Sequence, residues 1–456
     1  GLGWTAPCWR RARPATQERE QDQSSPCRNR ELTDLLRRLL AAGWGQLVAG
    51  LLTFLSLRLF SDLLGPSDFG VAMLAMGAVS LLDGISSAAF AQVLGLAMRD
   101  NAERQERLRI AFGLSRYFRR WLAGLCGAGV ILSAWWFGWK EAGWLAAASL
   151  VFVASEGPRV TGQTAAMLDR RFTLLSSWSA LDALSTLGVS LAAIWLTAGN
   201  PVAVPLGMLL GRSLVTALMI LIAIGGPDNW QADAQAARLE LPRALQLGWS
   251  VAVMAPLGWL GLFADRYIIN ATTGIVAAGV IAALAGAVTR PFSITSAALT
   301  NVFRPELLDA VAGRKGRFAH PLRNWLLAAA LIGLAGTAAF ALIGNAFAAF
   351  IIKFPTPGID RGLILVLLSV SQLFVLMTHA VDNELLAHGM GKTLLATQIG
   401  VMVLGLPIIV IGAQQAGAEG AAAGRIVNEL LKLMAVCMVL ALRRRGQASM
   451  KSRQGV

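Results

Sequence analysis

From Leu39 to Leu442 the chain is a succession of apolar runs, each about twenty residues long, the length a helix needs to cross a bilayer core. Twelve such runs are read at 39–60, 69–92, 119–138, 142–166, 174–197, 202–225, 247–271, 274–302, 322–345, 360–382, 393–413 and 418–442. A chain with 55% hydrophobic and 14% charged residues has too little charge to cover a soluble surface of this size. The predicted fold is therefore an all-α integral membrane protein with twelve transmembrane helices in two six-helix bundles. The bundles are 39–225 and 247–442, joined by a polar linker at 226–246.

The formal charge of +14 suggests nucleic acid until its placement is considered. Of forty Lys and Arg, thirty fall in the leader, the tail and alternate loops, and three (Lys140, Lys353, Arg361) fall in the other loops. Cytoplasmic loops retain Lys and Arg, so both termini are predicted to be cytoplasmic. Trp135, Trp136, Trp139 and Trp144 surround one short outer loop, as an interfacial belt does. Residues 1–38 are polar and Arg-rich and predict a disordered cytoplasmic leader; 443–456 predict a basic tail.

The chain repeats itself. A shift of 209 residues lays 65–89 on 274–298 with ten of 25 positions identical, among them Gly65, Gly70 and Gly77 on Gly274, Gly279 and Gly286. Both segments hold the second span of a six-span half, so the repeat is parallel, with its axis along the membrane normal. Transporters of this kind place the substrate between the halves.

An ionisable group at membrane depth costs several kcal/mol and marks a polar interior. The candidates are Arg58, Asp83, Glu156, Arg159, Asp182, Arg212, Asp265, Arg266, Arg290, Arg425, Glu429 and Lys432. Glu156 and Arg159 share a helix face, and Arg425, Glu429 and Lys432 form one charged stripe. Arg58 and Arg266 lie near span ends, where they can snorkel to the interface. Arg212 and Arg290 are mid-span with no acidic neighbour on their own helix. Their planar forks suit phosphate oxygens, so they lead a set of candidate anion contacts that also includes Arg159, Arg266, Arg425 and Lys432. The competing expectation is cross-bundle pairing with Asp83 or Asp182. The carboxylates Asp83, Glu156, Asp182, Asp265 and Glu429 are the candidates for ion coupling. His379 and Asp382 share a face near one span end, where interface solvation competes with proton relay. Cys8, Cys27, Cys126 and Cys437 and the three His have no metal-ligand spacing, no Walker-type glycine loop occurs, and no metal, cofactor or enzyme activity is expected.

The stretch Leu57-Arg58-Leu59-Phe60-Ser61-Asp62-Leu63-Leu64-Gly65-Pro66-Ser67-Asp68-Phe69-Gly70 resembles the bacterial lipid-linked oligosaccharide flippases. These form the polysaccharide-biosynthesis branch of the multidrug/oligosaccharidyl-lipid/polysaccharide exporter superfamily. The family pattern is Arg-x-Leu-Gly-Pro-x-x-Phe-Gly; this chain has three more residues after the Arg. Ala264-Asp265-Arg266-Tyr267 and Leu168-Asp169-Arg170-Arg171-Phe172 are similar to further family segments.

The resemblance implies a transporter of the bacterial inner membrane. It would move an undecaprenyl-pyrophosphate-linked oligosaccharide to the outer leaflet by alternating access, for O-antigen, lipopolysaccharide or exopolysaccharide export. Its implied partners are that lipid-linked oligosaccharide, membrane lipids, a polysaccharide polymerase and glycosyltransferases, with no nucleic acid, and the chain would act as a monomer. The alternative is a cation-coupled multidrug exporter of the same fold.

Overall fold

The computed structural model describes residues 25–84, 90–91, 94, 104–137, 139–169, 171–224, 233–311 and 320–454. Within the first bundle, α1 is Ser25–Leu63, α2 Pro66–Asp83, α3 Arg104–Phe137, α4 Trp139–Leu168, α5 Phe172–Leu196 and α6 Ala203–Ile224. The second comprises α7 Ala234–Thr272, α8 Ile275–Val311, α9 Pro321–Ile351, α10 Arg361–Ala387 and α11 Gly391–Gln454.

Non-helical backbone at Ala416 and Gly417 breaks α11 into two arms, which correspond to spans eleven and twelve. The architecture is the expected pair of six-helix bundles. Among the described residues, seven helices are long and apolar enough to cross a membrane, one being the broken α11.

Three element ends extend past the spans read from sequence. Helix α1 starts at Ser25, so 25–38 are helical, while 1–24 lie outside the described residues. Helix α3 starts at Arg104, well before 119; its first turns leave Glu106 and Arg109 exposed and bury Leu108 and Ile110 in one core with Ala237. There Asp233 N donates to Arg109 O, and a Cβ on Gly113 would strike Asp233 and Ala237. The second half thus starts docked on the first, with the Asp233 carboxylate capping α7 at Gln235 N and Ala236 N. Helix α11 runs to Gln454, through the basic tail.

Lipid supplies little hydrophobic drive between helices, so close packing relies on small residues. In the Gly207-x-x-x-Gly211 stretch of α6, both glycines lie against the backbone of α5. The Ser190 and Ser185 hydroxyls complete that contact by donating to Val204 O and Gly211 O.

The repeat is visible in space. Helices α2 and α8 each start one residue after an equivalent glycine, Gly65 and Gly274. They cross where Gly70 and Gly279, equivalent under the 209-residue shift, face each other; a Cβ on Gly279 would lie 2.6 Å from the Gly70 Cα. Only hydrogen fits at such a crossing.

Near this turn end the halves are also tied by α1 and α9. Arg58 Nη1 donates to Phe350 O at 2.9 Å and Ser61 Oγ to Ile351 O at 2.7 Å, while Arg361 Nη1 donates to Ile352 O from within the second half. Three successive carbonyls at the C-terminus of α9 are thereby satisfied by side chains. Phe69 and Phe354 meet edge-on beside them.

Candidate functional site

Charged side chains converge at two places, one per bundle. In the first, Glu156 of α4 is fully buried and accepts from Arg159 Nη1 at 3.2 Å and from Arg212 Nη2 of α6 at 3.0 Å. Arg159 reaches with its other nitrogen to Asp182 of α5 at 3.2 Å. Two guanidinium groups and two carboxylates thus balance across three helices, and Arg212 also stands 5.9 Å from the Phe152 ring.

Arg212, which has no acidic neighbour on its own helix, thus has a carboxylate from another one. Its partner is Glu156, which is neither on its own helix nor among the carboxylates expected to pair with it. Burial makes an uncompensated guanidinium costly, and the α4–α6 packing brings the carboxylate to it.

The second cluster lies where α7 meets the second arm of α11. Asp265 and Arg425, 2% and 1% exposed, pair at 3.2 Å. Arg266 does not snorkel: it is buried, with its guanidinium carbon 4.2 Å from the Phe263 ring centroid. One turn further along α11, Asn428, Glu429 and Lys432 line a cavity of about 140 Å³ together with Gln398 and the apolar face of α7. Asn428 Oδ1 and Glu429 Oε2 are buried with no hydrogen-bond partner.

Arg290 joins neither cluster. It lies about 22 Å along α8 from Ile275, at 1.5 Å per residue. Its side chain is exposed, on the same strip of α8 as the exposed Ser293 and Ala297. The adjacent Thr289 hydroxyl is tied to Gln372 of α10 at 3.3 Å. Among the described ion pairs none involves Arg290. Arg58 pairs with Asp62 at 3.3 Å besides its bond to α9. Asp83 ends α2, and its side chain lies outside the described residues. His379 Nε2 meets the Thr300 hydroxyl at 3.0 Å, and Asp382 lies one turn beyond.

Sequence reasoning did not single out Trp259 and Tyr267 of α7. Trp259 Nε1 donates to Gly77 O at 2.8 Å and the Tyr267 hydroxyl to Leu74 O at 2.9 Å, which bolts α7 to α2 across the halves. The signal was present in the i, i+4, i+8 stripe of Trp259, Phe263 and Tyr267. Asn428 and Gln398 were also missed, since an uncharged amide in an apolar run carries little weight on its own.

No family model matches the sequence, and no curated protein matches it. Solved structures do. The chain is similar to the lipid II flippase MurJ in an inward closed conformation, with a TM-score of 0.64 at 12% identity over 87% of this chain and 86% of that one. It has the fold of these proteins. It is also similar to an inward-facing multidrug resistance MATE family transporter of the MOP superfamily, with a TM-score of 0.59 at 15% identity over 88% and 96%. A third is a MOP superfamily transporter from Pyrococcus furiosus, described as having a binding pocket of reverse polarity, with a TM-score of 0.57 at 14% identity over 91% and 96%.

Proposed function

We propose that the chain is a transporter of the multidrug/oligosaccharidyl-lipid/polysaccharide exporter superfamily that flips a lipid-linked oligosaccharide across the bacterial inner membrane. The observation that carries this reading is Arg290, an exposed residue outside both charge clusters and mid-way along α8, a helix that crosses its repeat partner α2 between the halves. A pyrophosphate cannot enter hydrocarbon without replacing its water, and a guanidinium fork replaces two of those contacts at once. The linker end, rich in Lys and Arg, would face the cytoplasm. The Gly70–Gly279 end would face outward, closed here by the α1–α9 and α2–α8 contacts. The likeness to a lipid flippase supports the reading.

The test is Arg290→Ala in the producing cell. Surface polysaccharide is expected to be lost while the protein persists in the membrane; unchanged polysaccharide would end the reading. The second reading, a cation-coupled multidrug exporter, draws on the likeness to a multidrug transporter at a similar TM-score. It expects resistance to cationic dyes that survives Arg290→Ala.

A further inference from the structure

The cavity in the C-terminal half is lined by acceptors that lack donors. Glu429 Oε2 and Asn428 Oδ1 are unpartnered, and both side chains are more than nine-tenths buried. The other Glu429 oxygen receives only a long contact, 3.5 Å, from Asn428 Nδ2. Asp382 of α10 lies within electrostatic reach of both Glu429 and Lys432, and its Oδ1 is unpartnered too. A carboxylate and an amide oxygen lining about 140 Å³ of space, with a second carboxylate in electrostatic reach, call for a cation.

The chain supplies one. Lys432 lines the same cavity one turn after Glu429, on a flexible four-carbon stem that bears three donors. Asp265, the remaining carboxylate of this cluster, is already held by Arg425. His379 is within electrostatic reach of Lys432 but is turned to Thr300. Among the described groups, the ammonium of Lys432 is therefore the cation free to move between Glu429 and Asp382.

We propose that Lys432 is a tethered cation, taking within the C-terminal half the place that a free monovalent metal ion would hold between Glu429, Asn428 and Asp382. A four-carbon stem lets one ammonium serve either carboxylate as the helices shift, so one of the two is compensated at every stage without exchange with the bath. The cavity would then accept sodium only once the tether is removed. This proposal does not depend on what the protein transports.

Purified full-length protein, with thermal unfolding followed by tryptophan fluorescence, tests it at constant ionic strength as NaCl replaces choline chloride. The expected result is a wild-type Tm that does not respond to sodium. Lys432→Met should melt lower in choline and recover by several degrees, saturably, as sodium fills the vacated place. Lys432→Arg should behave as wild type, and Glu429→Gln combined with Lys432→Met should not respond. A saturable, sodium-specific rise in wild-type Tm, or a Lys432→Met protein indifferent to sodium, would overturn the proposal. Should Lys432→Met not fold, radioactive sodium binding decides on the wild type: saturable binding that Glu429→Gln abolishes defeats the tether, and none supports it.

Discussion

In the first half, one buried carboxylate, Glu156, is shared by two arginines, and the second carboxylate, Asp182, closes the set. In the second half, Asp265 has one described ion-pair partner, Arg425, its other oxygen accepting from Arg266 N, and Glu429 and Lys432 line a cavity. The first arrangement spans α4, α5 and α6 and ties each of its four charged groups to an opposite charge. The second sets a carboxylate, an amide and an ammonium around a cavity. The two bundles share a layout of helices without sharing a layout of charge. Duplicated backbone therefore does not imply duplicated chemistry: the first cluster fastens helices, and the second can respond.

Substitutions can break or sharpen this contrast. The largest effect is expected from Glu156→Ala, which strips Arg212 of its described acidic partner and Arg159 of one of two. Loss of a buried partner costs about 3–5 kcal/mol, so this variant should show the greatest fall in unfolding temperature or in yield of folded protein. Asp265→Ala takes the ion-pair partner from one guanidinium, Arg425, instead of two and should fall at the lower end of that range, about 3 kcal/mol, in the same assay. If it equals or exceeds Glu156→Ala, the second half is as tightly fastened as the first and the contrast fails.

Smaller still is Asp182→Asn. Arg159 keeps Glu156, and losing a charge-assisted bond should cost about 1.5–3 kcal/mol. The mildest is Trp259→Phe, which keeps an aromatic ring beside Phe263 but cannot donate to Gly77 O. A net loss of about 1 kcal/mol is expected, visible as a small downward shift in unfolding temperature. A larger shift would mean that the α2–α7 bolt between the halves contributes more to stability than a single neutral hydrogen bond does.

Much of the fold was legible because a bilayer imposes length. Each apolar run maps to a helix, and even the break at Ala416–Gly417 falls between the two runs read as 393–413 and 418–442. The repeat was legible from Gly65, Gly70 and Gly77, of which Gly70 lies at a close backbone crossing that tolerates only the smallest residue. The ends were less so: a helix leaving the membrane is limited by what it docks on, and the docking of α3 on Asp233 and Ala237 leaves no periodic trace. The site was read in part. The sequence marks every buried charge but not which helix supplies its counter-charge. Glu156 and Arg212 are 56 positions apart, and the helix packing that joins them is a property of the whole bundle. Arg58 shows the same limit: it looks like a snorkelling residue from its position, yet it caps the end of α9 in the other half.

The crossing of α2 and α8 binds the two copies of the repeat to a common fate. Where a segment folds back to lie against its own duplicate with only hydrogen between them, neither copy can gain a methyl group without displacing the other. Everything around that point is free to diverge, as Trp259 and Gly50 have at matching places under the same shift. Gly70 and Gly279 thus form a fixed fulcrum in a molecule whose arms have drifted apart.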